Sequence, residues 1–112
     1  MTSTIAAIST AVGEAGIGIV RLSGRNAIEI AKSVFVRAKN KTETEGENRK
    51  LIYGHIIEGD EIIDEVLIAF MKEPFTYTRE NMVEIYCHGG IIPVKKILEL
   101  VLRNGAQLAE PG

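Results

Sequence analysis

The stretch MVEIYCHGGIIPVKKILELVLRNG, residues 82–105, decides how this chain folds. Its first half alternates, with Val83, Ile85 and Cys87 on one side of an extended strand and Met82, Glu84, Tyr86 and His88 on the other. Its second half changes period. Ile92, Ile97, Leu98, Val101 and Leu102 form one stripe of a helix over residues 91–102, with Lys95, Lys96, Glu99 and Arg103 mostly off it. Pro93 suits the first turn, where its missing N–H is harmless, and Asn104-Gly105 is a stop signal. Gly89 and Gly90 join the two halves as a strand-to-helix corner, or as a pair of N–H groups open to an anion.

The same two periods recur upstream. Residues 4–8 and 17–23 read as strands, the second rich in β-branched side chains and ended by Gly24. Between residues 26 and 35, Ala27, Ile28, Ile30, Ala31, Val34 and Phe35 follow helical spacing, with Asn26 as N-cap. Residues 51–58 and 62–71 read as a hairpin about Gly59-Asp60. Residues 39–50 contain no large apolar side chain and are expected to form a solvated, mobile loop. The order β-β-α-β-β-β-α predicts an α+β fold, a mixed or antiparallel sheet with two main helices packed on it. There are no internal repeats, and the ending Leu-Ala-Glu-Pro-Gly reads as a cut within a longer protein.

Totals narrow the class. The chain has 112 residues, 46% hydrophobic and 25% charged, enough for one domain spanning 1–112 with a buried core. Net charge is −2 and the pI about 5.7, so the basic surplus that holds nucleic acids is missing. A single cysteine makes no internal disulfide, which points to a reducing compartment. No basic, then apolar leader opens the chain, and no apolar run approaches the roughly 20 residues of a membrane span. A cytoplasmic protein that does not enter a membrane is expected.

Several site readings fail on spacing. Gly16-Ile17-Gly18-Ile19-Val20-Arg21 starts like a dinucleotide fingerprint, but Arg21 stands at the third glycine position and the glycines precede a strand. The chain contains no Gly-x-x-x-x-Gly-Lys-Ser/Thr phosphate loop. Cys87 and His88 are neighbours in a strand and so point to opposite faces, excluding a thiolate–imidazole pair. One Cys and two distant His supply too few of the roughly four ligands zinc takes. Cys87 is expected to be a small buried hydrophobe.

Two charges remain unexplained. Glu84 and Arg21 each interrupt an apolar strand, where an unpaired charge is expensive to bury. They either pair with each other or line one polar-ended pocket. Phe75 and Tyr77, after Pro74, are core plugs or ligand stackers.

Taken in order, Thr4-Ile5-Ala6-Ala7-Ile8, residues 13–24 (GEAGIGIVRLSG), Pro74-Phe75-Thr76-Tyr77-Thr78, Val83-Glu84-Ile85, His88-Gly89-Gly90 and Ala109-Glu110-Pro111-Gly112 resemble the N-terminal domain of the MnmE (TrmE) family of tRNA modification GTPases. The resemblance runs end to end apart from residues 39–50. It departs at Val12, Ala15, Arg79 and Asn81, where the family has Pro, Gly, Gly and Asp, which bears on loop shape.

The resemblance implies a domain similar to the folate-binding domain of aminomethyltransferases. It binds a tetrahydrofolate derivative, 5-formyl- or 5,10-methylene-tetrahydrofolate, and forms a homodimer. The full protein would add a helical domain and a GTPase domain using GTP, Mg²⁺ and K⁺. With the flavoprotein MnmG, in a heterotetramer, it would install a (carboxymethyl)aminomethyl group at carbon 5 of the wobble uridine in tRNA, the folate giving one carbon. Arg21 and Glu84 match positions that contact the folate, and further ligands lie beyond Gly112. A carboxylate accepts two side-by-side N–H donors, which suits Glu84 to the amino and ring N–H edge of a pterin. Arg21 then meets a pterin acceptor or the anionic tail. His88 is expected to be structural or to stand behind the ligand contacts, and no catalytic or metal-binding residue is expected. The competing reading is an assembly domain in which Arg21 and Glu84 form a structural ion pair.

Overall fold

A computed structural model describes residues 4–9, 16–38, 50–72, 80–88 and 90–109. The expected loop at residues 39–50 (apart from Lys50), the aromatics Phe75 and Tyr77, Gly89, and the departures at Val12, Ala15 and Arg79 lie outside the described residues.

The elements run β1 (Ile5–Ile8), β2 (Ile17–Ser23), α1 (Ala27–Val34), β3 (Phe35–Arg37), β4 (Leu51–Glu58), β5 (Glu61–Met71), β6 (Met82–His88), α2 (Ile91–Arg103) and β7 (Gln107–Leu108). Among the described residues the strands join one seven-stranded sheet in the order β3-β4-β5-β6-β2-β1-β7. Every neighbouring pair is antiparallel except β1 with β7, so the sheet is mixed and the fold is α+β as expected. β3 and β7 are additions to the expected order.

Both helices lie on one face. Val20 and Leu22 of β2, Ile52 and Ile56 of β4, Val66, Ile68 and Phe70 of β5, and Val83, Ile85 and Cys87 of β6 all point toward them and are buried. The helices answer with Ala27, Ile30, Ala31 and Val34 from α1, and Val94, Ile97, Leu100 and Val101 from α2. The stripe of α2 differs from expectation in part: Ile97 and Val101 are buried as expected, Ile92 is exposed, Leu98 and Leu102 are half-buried, and Val94 and Leu100 join the contact.

Asn26 does hold the N-cap position of α1, but its side chain makes no capping bond. Instead the buried Thr4 hydroxyl accepts the Asn26 backbone N–H at 2.9 Å, tying the helix start to the first strand. Close by, Asn104 closes α2 with its side-chain amide on the Leu100 carbonyl at 2.8 Å. Gly105, at φ 119°, then reverses the chain so that Ala106 N–H returns to the Val101 carbonyl at 3.1 Å.

Among the described residues no helix covers the opposite face of the sheet. Strand alternation puts Ile17, Ile19, Arg21, Leu51, Tyr53, Leu67, Glu84, Tyr86 and His88 there. Ile17, Leu51, Tyr53 and Leu67 are exposed.

Candidate functional site on the open face of the sheet

β2 and β6 are central strands, and their antiparallel register sets Arg21 directly opposite Glu84. Because Val20 and Leu22 take the core side, Arg21 falls on the open side without breaching the core. The same parity carries Glu84 between Val83 and Ile85. The two charges that interrupted apolar strands thus meet on one surface.

Their contact is close. Both Arg21 Nε, at 2.7 Å, and Arg21 Nη2, at 2.5 Å, reach Glu84 Oε2. The other carboxylate oxygen, Oε1, accepts a hydrogen bond from the Tyr86 hydroxyl, two residues along the same strand and on the same face. Burial, then the hydrogen bond to Glu84, then the negative charge of Glu84 push the Tyr86 hydroxyl up to about 12, with Arg21 opposing them. Alanines flank the pair in its row across the sheet, Ala7 opposite Arg21 on β1 and Ala69 opposite Glu84 on β5.

The adjacent row, Ile19, Tyr86, Leu67 and Tyr53, is apolar but for its phenol hydroxyls. Beside it opens a cleft of about 330 Å³ whose lining includes Ile17, Tyr53, Glu65, Leu67, Tyr86 and His88. Arg21 and Glu84 are not part of that lining; Tyr86 connects them to it. The volume is at the lower end for a small-molecule site, about 300 Å³ upward.

His88 lies at the rim of the cleft. The β5–β6 ladder ends at Leu67–Tyr86, and beyond it the Asp64 carboxylate takes over: Oδ2 accepts the His88 backbone N–H at 3.0 Å and Oδ1 meets ring Nδ1 at 2.7 Å. An acceptor at Nδ1 fixes the proton on that nitrogen. Asp64 is a partner the sequence did not single out: it adjoins Glu65 in the run Ile62-Ile63-Asp64-Glu65-Val66, so it does not stand alone between apolar neighbours as Glu84 does. Cys87 turns the other way, buried against Gly18, with its thiol pushed up to about 11 by burial first and the Asp64 charge second. It is the small buried side chain that alternation required. At the helix start Gly90 is the N-cap of α2, with no side-chain capping bond.

Fold and site together define an α+β domain whose sheet is packed on one side and presents, on the other, a polar triad beside an apolar cleft. A family model described as "GTP-binding protein TrmE N-terminus" matches residues 4–112. The chain belongs to that family. It is similar to the tRNA modification GTPase MnmE of Finegoldia magna, 56% identical over 112 residues, all of this chain and 24% of that protein. The protein of the same name in Thermoanaerobacter pseudethanolicus is 60% identical over 111 residues, covering 97% of this chain and 24% of the relative. That of Bacillus subtilis is 50% identical over 111 residues, with the same coverage of 97% and 24%. The chain spans about a quarter of the length of these curated relatives. Among the described residues no helix is long and apolar enough to cross a membrane.

Proposed function

We propose that this chain is the folate-binding, dimerising module of a tRNA modification GTPase. In this reading the whole protein works in the cytoplasm with the flavoprotein MnmG, as a heterotetramer, to add a (carboxymethyl)aminomethyl group at carbon 5 of the tRNA wobble uridine. GTP, Mg²⁺ and K⁺ would act in another part of that protein, because this chain has no phosphate loop. Bound to this domain, 5-formyl- or 5,10-methylene-tetrahydrofolate would supply a one-carbon unit.

The observation that carries the reading is the Arg21–Glu84 pair on the open face of the two central strands, next to an apolar cleft. The donor and acceptor set fits a reduced folate. Glu84 is an acceptor for the amino and ring N–H donors of a pterin, Arg21 a donor for an anionic tail, and Tyr86, Leu67 and Tyr53 offer apolar area for a flat ring. The cleft is the size of the ring system rather than of the whole molecule, in keeping with further contacts contributed by the rest of the protein.

The ion pair itself supports the competing reading of an assembly domain. With Arg21 43% exposed, such a pair contributes at most about 1 kcal/mol to folding. Thermal melting of the full-length protein with 5-formyltetrahydrofolate separates the two. At a ligand concentration about 100 times Kd, binding to the native state adds ~2.7 kcal/mol and raises Tm. Glu84→Gln should reduce that rise. An unchanged Tm in the wild-type protein, with its dimer intact, leaves the assembly reading.

A further inference from the structure

The Arg21–Glu84 pair is asymmetric in a way that ordinary ion pairing does not require. Glu84 is 15% exposed and Arg21 43% exposed, so separating them returns the guanidinium to water but leaves the carboxylate in a desolvated place. The donors are also unevenly shared. An ionised carboxylate offers about four lone-pair positions, two on each oxygen. Arg21 donates from Nε to Oε2 and sets its Nη2 against the same oxygen, and Tyr86 takes one position on Oε1. Two side-by-side donors of a ligand need one position on each oxygen, and Arg21, with two nitrogens within 2.7 Å of Oε2, stands where one of those donors would sit.

We infer that the pair is an exchange lock that sets which ligands the site admits: Arg21 accepts an anionic group only when a donor edge has replaced it on Glu84. This rests on the reading of Arg21 and Glu84 as ligand contacts and adds an order of preference to it. A molecule bearing only an anion has to pull Arg21 away from a carboxylate left with Tyr86 alone, and binds more weakly for it. A molecule bearing only a donor edge displaces Arg21 into solvent, where its exposure makes the move cheap. A molecule bearing both compensates both charges at once, and the two halves help each other. The lock thus selects conjugates of a donor-edged ring with an acidic tail over the free anions of the cell.

Fragment titration of the full-length protein tests the lock. The probes are 6-hydroxymethylpterin for the ring, para-aminobenzoylglutamate for the tail, and 5-formyltetrahydrofolate for the whole, each followed by calorimetry. In the wild-type protein, saturating pterin should tighten tail binding by up to about fivefold, the worth of an exposed ion pair, and saturating tail should tighten pterin binding by the same factor, as linkage demands. In Glu84→Gln the tail should bind without help and the coupling should vanish, while the pterin weakens. Tyr86→Phe, which keeps Arg21 on Glu84, should retain the coupling. Independent binding of the two fragments to the wild-type protein overturns the lock even if the whole folate binds. Failure of 5-formyltetrahydrofolate itself to bind overturns the folate reading beneath it, and the lock with it.

Discussion

Tyr86 shows how much of this site is decided one residue at a time. Alternation in the sequence already set it on the face of Glu84, two positions away. What alternation does not state is that the phenol folds back onto that carboxylate rather than reaching across the sheet. The consequence is measurable. Burial and Glu84 hold the hydroxyl at about 12 against an ordinary 10.0. Glu84→Gln removes the negative charge and leaves burial and an amide oxygen that still accepts, so near-ultraviolet titration should find Tyr86 ionising below its wild-type value. A Tyr86 that titrates unchanged in the variant would mean that Glu84 is not its partner. The sign for stability follows. The folded state holds the phenolic proton more tightly than the unfolded chain, so this contribution is complete below pH 10 and is lost as pH rises through about 12. His88 is the opposite case in legibility. Its partner Asp64 lies 24 residues away, and only the ending of the β5–β6 ladder brings the two together.

Among the elements, those with a period of their own were legible, and the two shortest strands were not. β3 has three residues and β7 two, too few for any alternation to register. They exist because neighbours offer unpaired backbone: β3 pairs with β4 as soon as α1 ends, which is why Phe35, read as the last helical residue, begins a strand instead. That junction explains a glycine the sequence left unremarked. Gly54 in β4 lies opposite Arg37, under β3. A Cβ there would stand 2.3 Å from the Val36 carbonyl oxygen and 2.5 Å from the Phe35 ring. The carbonyl belongs to the strand backbone and has no rotamer to escape through, and Phe35 is held edge-on against Phe70. Gly54→Ala should therefore lose about 1–3 kcal/mol in urea unfolding, the usual penalty for overpacking. A loss below about 0.5 kcal/mol, ordinary for a surface change, would show that β3 yields easily.

At the scale of the molecule the strand order was the hidden quantity. The chain visits β4 and β5 and then inserts β6 between β5 and β2, a pairing across roughly sixty residues that no local pattern announces. This order gives the sheet its mechanical gradient. β2 and β6 pair on both sides and lie under the helices, whereas β3 and β7 close the edges with three and two residues. Local opening draws on free energies from near zero at frayed elements up to the global value in the core. Native-state hydrogen exchange should accordingly find Val20, Leu22, Val83 and Ile85 exchanging only through global unfolding, and β3 and β7 through local fraying several kcal/mol lower. Arg21 and Glu84 ride on the slow pair. If that is so, ligand exchange at the site works through side chains on a fixed floor, and adding folate should slow exchange in β2 and β6 by no more than its effect on global stability. Protection that rises in β2 and β6 well beyond the global gain would mean instead that the central strands open when the site is empty, and that the lock is a motion of backbone rather than of one guanidinium.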